Sequence, residues 1–302
     1  MTRSEFFEKV KDAVLVKIKD EDNSLDAAIS EVMKSNGVVY HGLTFRGNDS
    51  VQPVIYLDDF FAKYSDGIDF DEIVDTVANM YFLSRKNKDF DISVLASFEA
   101  AKEHITVAVM NTELNERLLE EIPHRNFEDL SLYYRVEFEF SDSTGIGSVK
   151  ISNSLMNTWK VSEEEIHGAA IANTLDKYGA VCRDMFDVIH DIMSDENCID
   201  EEMQNTGMFV LSNDKTTNGA VLIYPEFKQL EKVADALADD LIILPSSKNE
   251  VIVLKAEMAD GNDIDFFKNM VREVNETSVS VEDFLSNNVY YFNRSKNELK
   301  IA

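Results

Sequence analysis

Five histidines, at positions 41, 104, 124, 167 and 190, and two cysteines, Cys182 and Cys198, are the side chains best suited to acid–base, nucleophilic or metal chemistry. Their spacing points away from all three. The histidines stand apart from one another at any ligand spacing, and two cysteines outside a CxxC pattern give no metal framework. No GxGxxG, GxxxxGK[ST], GxSxG or HExxH is present, so dinucleotide, P-loop, serine-hydrolase and zincin chemistry lose their usual signatures. Asp184, Asp187 and Asp191, with His190 beside them, recur at i, i+3, i+7 on an expected helix and could face a divalent ion. That face lies opposite the apolar residues Val181, Met185, Val188, Ile189 and Ile192, so a solvated polar face explains it better. Cys182 and His190 on the same helix would stand ~12 Å apart in rise, too far for a thiolate–imidazole pair. Asp20 to Asp26 with Glu31 imitates a calcium loop, yet Leu25 occupies the place where that loop turns on glycine. No metal and no cofactor is expected.

Candidate binding residues are His124, Trp159, Ser246, Ser247 and Glu250. The loop from Leu244 to Glu250 joins two apolar strands, and its hydroxyls and carboxylate could hold a polar ligand or simply satisfy a local turn. Trp159, the only tryptophan, suits a core or hinge anchor. An enzyme would need His41 or His124 to meet acids such as Asp58 or Asp129 in one pocket.

Periodicity indicates the elements that must place these residues. Phe6, Phe7, Val10, Val14 and Ile18 form a helical stripe behind Ser4. Segments 29–34 and 38–45 flank Asn36-Gly37, a pair suited to the positive φ angles of a hairpin turn. Helices are expected over 56–64, from Asp69, over 93–103 and 112–121. Strands are expected at 105–110 and 130–140, the latter paired with 148–151. Ser162 with Glu165 is a capping box opening a helix to Asn173. A helix follows over 181–193, then strands at 208–211 and 220–224 and a helix over 227–238. Further strands at 241–244 and 251–254, a helix over 264–274, and strands near 289–292 and 298–301 complete the chain. Adjacent strands joined by short loops must pair antiparallel. The fold class is therefore α+β, with antiparallel hairpins alternating with helices in two closely packed subdomains, 1–125 and 126–302, divided near Pro123.

Charge limits the partners. The 302 residues carry 57 acids against 29 Lys and Arg, a formal net charge of −28. Such a body repels phosphate backbones and anionic bilayers, so neither direct nucleic-acid binding nor membrane binding is expected. Asp184 to Asp214 holds nine acids and no Lys or Arg, a solvated surface or a docking site for a protein with a basic surface. No apolar run approaches the ~18 residues of a membrane span, and the charged amphipathic start shows no secretory signal. A cytoplasmic location follows as the expectation.

Several segments carry a resemblance over about residues 4–300: Asn36 to Leu43, Ile55 to Phe61, Ile122-Pro123-His124, Trp159 with Glu163 to Ile166, Ala170 to Thr174, and Ile243 to Glu250. Together they resemble a bacterial family of unknown function whose members are similarly long, cytoplasmic and found in anaerobic gut bacteria. That family often has Ile-His before the glutamate where this chain has Lys248-Asn249, which weakens a catalytic histidine there. The second half is more loosely similar to another bacterial family with a Trp-x-x-Ser/Thr-Glu-Glu-Glu helix start. The resemblance implies no activity. The leading expectation is an acidic binding protein without catalysis; a hydrolase of unrecognised type and an acidic nucleic-acid mimic are the alternatives.

Overall fold

The first helix, α1 (Arg3–Ile18), is capped two residues before Ser4, by Thr2: Thr2 Oγ1 accepts from Glu5 N and Glu5 Oε2 accepts from Thr2 N at 2.9 Å. Its stripe Phe6, Phe7, Val10, Val14 and Ile18 is buried, as the spacing requires. The computed structural model describes residues 1–19, 25–46, 54–86, 92–139, 146–192, 207–245, 247–259 and 264–302. Most of the calcium-like stretch at 20–24, Cys198, and the acidic run at 195–202 lie outside the described residues.

Residues 1–94 and 138–147 make one unit. Strands β1 (Asp26–Met33), β2 (Val39–Arg46) and β3 (Val54–Tyr56) form an antiparallel sheet in chain order, with Met33 opposite Val39 at the hairpin end. Asn36 (φ 59°) and Gly37 (φ 70°) take the left-handed backbone that the Asn-Gly pair suggests. Helices α2 (Asp58–Ser65) and α3 (Phe70–Lys86) complete this unit. Phe6 is ringed by Phe61, Tyr64 and Phe70 at centroid distances of 5.5, 5.1 and 6.0 Å, and Ile73, Val74 and Val77 close the core.

Residues 95–137 and 148–302 make the other unit. Short α4 (Phe98–Ala101) leads into β4 (Ile105–Asn111), short α5 (Glu116–Leu119) and β5 (His124–Phe127). Central β6 (Leu130–Glu139) pairs β4 on one side and β5 on the other, and β7 (Ile146–Lys150) also joins β6. Helices α6 (Asn153–Trp159) and α7 (Glu163–Tyr178) follow, α7 ending at Gly179 with φ 64°. The last sheet runs β13-β12-β10-β11-β9-β8, all antiparallel. Its strands are β8 (Val181–Asp184), β9 (Met208–Ser212), β10 (Leu241–Leu244), β11 (Val251–Lys255), β12 (Tyr290–Asn293) and β13 (Glu298–Ile301). Helices α8 (Met185–Ile192), α9 (Gln229–Leu237) and α10 (Ile264–Thr277) belong to this part. The fold is α+β with antiparallel hairpins.

Position 125 falls inside β5, where β6 holds the extended segment after Pro123 in the sheet, and the compact units are residues 1–94 with 138–147 and residues 95–137 with 148–302. The helix expected over 181–193 is instead a strand and a helix. Cys182 pairs opposite Leu211 at the sheet edge, and α8 begins only where Asp184 Oδ1 accepts Phe186 N at 2.8 Å. Asp184 thus leaves the helix face on which an ion was weighed, and Asp191 is bound by Arg183 at 2.5 Å. The strand expected over 220–224 is instead a buried 3₁₀ helix over Gly219–Ile223, since a short apolar run does not distinguish the two by pattern. Two other expected helices, 93–103 and 112–121, break into 3₁₀ turns around α4 and α5.

Candidate functional site

Four segments of the larger unit bring charged side chains together. Strand β5 contributes Arg125, β6 contributes Tyr134, the first two turns of α7 contribute Glu163, Glu164 and His167, and the 3₁₀ turn Pro225–Phe227 contributes Glu226 with Tyr224 just before it. The capping box sets the register of α7. Ser162 Oγ accepts Glu165 N at 3.3 Å while Glu165 Oε2 accepts Ser162 N at 2.9 Å, so Glu163 and His167 fall one turn apart on one face. Ser162→Ala should cost about 1 kcal/mol in a denaturant melt.

Arg125 grips Glu163 with two parallel bonds, Nε to Oε1 at 2.8 Å and Nη2 to Oε2 at 2.9 Å. It also binds Glu164, and its Nη1 stands 3.7 Å from Glu226 Oε1. The Tyr134 hydroxyl donates to Glu163 and lies 3.0 Å from His167 Nδ1, and His167 Nε2 lies 2.9 Å from Glu226 Oε2. Burial would raise the Glu163 carboxyl, but the bonds from Arg125 and Tyr134 outweigh it and hold it below the ordinary carboxylate value. Burial, and then the Glu163 carboxylate, push the Tyr134 phenol up. The single Tyr134 proton is donated to Glu163, so the phenol oxygen is left as acceptor for His167 Nδ1–H. Tyr134 is fully buried, His167 is 3% exposed and the Glu226 side chain 49%, so the bonds run from the interior to water. Burial, followed by the Glu226 carboxylate, raises the Tyr224 phenol at the same rim.

Tyr134→Phe removes the proton donated to Glu163 and the oxygen that faces His167 Nδ1. A loss of about 2 kcal/mol in chemical denaturation is expected.

The candidate binding residues of the sequence lie elsewhere. His124, on β5, turns Nδ1 to the carbonyl of Ile122 at 3.0 Å. Trp159 is buried at the end of α6, donating Nε1 to Leu95 O at 2.9 Å beside the Phe98 ring. Ser246 is outside the described residues. Ser247 accepts Asn249 N on its own hydroxyl at 3.1 Å and bridges to Phe284, and Glu250 is exposed. Among the described residues no hydrogen bond or ring contact joins these positions to one another. Of the pairs weighed for acid–base work, His41 Nδ1 does meet Asp58 Oδ1 at 2.9 Å in the smaller unit, where Arg3 shares the carboxylate. Asp129 instead accepts from Ser286 Oγ at 2.6 Å, Asn288 Nδ2 at 2.9 Å and the Tyr290 hydroxyl. The His167 cluster went unseen in the sequence, although Glu163 and His167 at i, i+4 behind a capping box marked a polar helix face. Nothing in the primary structure joined Tyr224-Pro225-Glu226 to it.

Among the described residues no helix is long and apolar enough to cross a membrane. No curated protein and no solved structure matches the chain. A family model matches residues 3–294, and the chain belongs to that family of unknown function, DUF5688.

Proposed function

We propose that this chain is a bacterial, cytoplasmic, acidic binding protein that engages a protein partner with a basic surface and acts through its outer face rather than by catalysis. The observation that carries this reading is the acid-rich face of α2 and α3. Asp59 on α2, Asp66 and Asp69 in the turn after it, and Asp71, Glu72 and Asp75 on α3 are exposed; Lys63 is the one base between Asp58 and Asp75, and Lys17 pairs Asp75. Unlike charges across an interface steer encounter and select partners. The convergent groups of the larger unit support the non-catalytic side, since Glu163 and His167 are already bound to Arg125, Tyr134 and Glu226.

The test is affinity capture from native lysate with rising salt. A bound protein should be released as the screening length shrinks from ~10 Å at 0.1 M to ~3 Å at 1 M salt. It should be lost from the Asp66→Asn, Asp69→Asn, Asp71→Asn, Glu72→Gln variant. Capture indifferent to both, or no captured protein at low salt, would sink the proposal.

A second reading, a hydrolase, draws on one arrangement: a buried histidine between a tyrosine and a half-exposed carboxylate suits proton transfer. It requires that turnover of an ester or amide panel vanish in His167→Gln, with the fold intact by circular dichroism.

A further inference from the structure

The edge of the six-stranded sheet carries an apolar cleft separate from the charged cluster. Cys182 pairs opposite Leu211 and Asp184 opposite Phe209, so Cys182, Leu211 and Phe209 project from the same face of β8 and β9. Helix α9 covers that face with Val233 and Leu237, leaving a space of about 290 Å³ between helix and strands. Ala180 and Ala236 complete the apolar wall, and small side chains there keep it open.

Two polar residues of α9 line the same cleft. Gln229 is buried, and its amide donates to Phe227 O at 2.8 Å, which fixes one end. Lys232 is exposed and, among the described residues, forms no ion pair. Its acidic neighbours on the helix are engaged: Asp235 with Arg294 Nε at 2.8 Å, and Glu231 with Asn297 Nδ2 at 3.4 Å. Asp184, on the sheet face, is turned to the amide of Phe186. The Cys182 side chain is exposed at the sheet edge, and partial desolvation against the cleft raises its thiol to about 11, so it adds no charge to the wall. A pocket of apolar walls with one or two placed polar groups is the usual form of a small-ligand site.

We infer that this cleft binds a small apolar monocarboxylate, its hydrocarbon chain against Phe209, Leu211 and Val233 and its carboxylate on the Lys232 ammonium. Volume and charge both limit the ligand. At the ~30 Å³ that a water molecule occupies, the space holds about ten non-hydrogen atoms, the size of a medium-chain fatty acid. One ammonium on a chain of net charge −28 answers one negative charge, whereas a phosphate or a nucleotide would need several cations. A basic or zwitterionic ligand would set a second ammonium beside Lys232.

Octanoate is the probe, titrated calorimetrically into the full chain, with octanol as the uncharged counterpart. One molecule should bind per chain with a Kd of about 0.1 mM. Lys232→Met should weaken it about tenfold or more, and Ala236→Trp, at an exposed helix position, should fill the space and abolish binding. Octanoate should also slow alkylation of Cys182 by iodoacetamide in a Cys198→Ser background, with unchanged melting curves for every variant. The inference fails if no saturable binding is seen up to about 5 mM. It fails equally if octanol binds as tightly, if Lys232→Met binds as wild type does, or if Ala236→Trp binds undiminished.

Discussion

Gly219→Ala is expected to destabilise the larger unit by about 3 kcal/mol, read as a lower midpoint in chemical denaturation. A Cβ at this position would stand 2.5 Å from Asn249 O and 2.8 Å from Ser212 Cα, with Ser212 Oγ nearer still. Two of these atoms are backbone, and neither has a free rotation by which to withdraw. The surrounding bonds show why the chain is so close. Gly219 N donates to Asn249 O at 2.9 Å, Ala220 N to Lys248 O at 3.1 Å, and Ser212 Oγ to the same Asn249 carbonyl at 2.8 Å. The loop before β11 is thereby stitched to β9 and to the 3₁₀ helix 219–223. A methyl group must push these apart or break the bonds, and overpacking of this kind lies at the upper end of its usual cost. Gly168, inside α7 with open space where its Cβ would go, is the control. Gly168→Ala should stabilise by about 0.5–1 kcal/mol, through helix propensity alone.

Arg135→Met should cost about 3 kcal/mol near neutral pH, because it leaves a buried carboxylate short of its nearest cation. Glu137 has no exposure at all; it accepts from Arg135 Nη2 at 2.5 Å, from Lys177 Nζ at 3.1 Å and from the Tyr178 hydroxyl. Burial raises the Glu137 carboxyl, but the Arg135 charge and then the bonds from Tyr178 and Lys177 outweigh it, so its pKa lies below the ordinary 4.5. A carboxyl depressed in the folded state stabilises the fold above its unfolded pKa, and that contribution fades as the pH falls through the lower, folded value. Wild-type stability should accordingly decline on acidification below about pH 4.5. In Arg135→Met the opposing charge is gone, so Glu137 rises and protonates at a higher pH. The deficit relative to wild type should therefore shrink toward pH 3. A deficit that stays constant from pH 7 to 3 would show that lost packing, not lost charge pairing, is what the variant measures.

These predictions rest on different amounts of sequence information. The stripe of α1, the Asn36-Gly37 hairpin, the Ser162 cap and the pairing of 241–244 with 251–254 are local patterns. Each depends on residues close in the chain, so periodicity and turn chemistry carry them. The strand at 181–184 is another matter. Its first residues fit the apolar spacing of α8, and only the ladder from β9 draws them into extended form. The run 219–223 fails for a related reason: it is apolar throughout, and its backbone bonds go to a loop thirty residues further on. His167 was visible as one of five histidines, but its value lies in Tyr134 and Glu226, which are distant in sequence.

What the amino-acid order alone settled is the class of fold, the Asn36-Gly37 hairpin and the Ser162 cap, together with the excess of acid over base. Those are properties of neighbouring residues and of composition. The tertiary structure decided which charges are buried and which are answered: that Glu137 and Glu163 each have a cation beside them while Lys232 faces an apolar cleft. Burial and long-range pairing set the electrostatic fate of a side chain, and neither is written in the spacing of its neighbours.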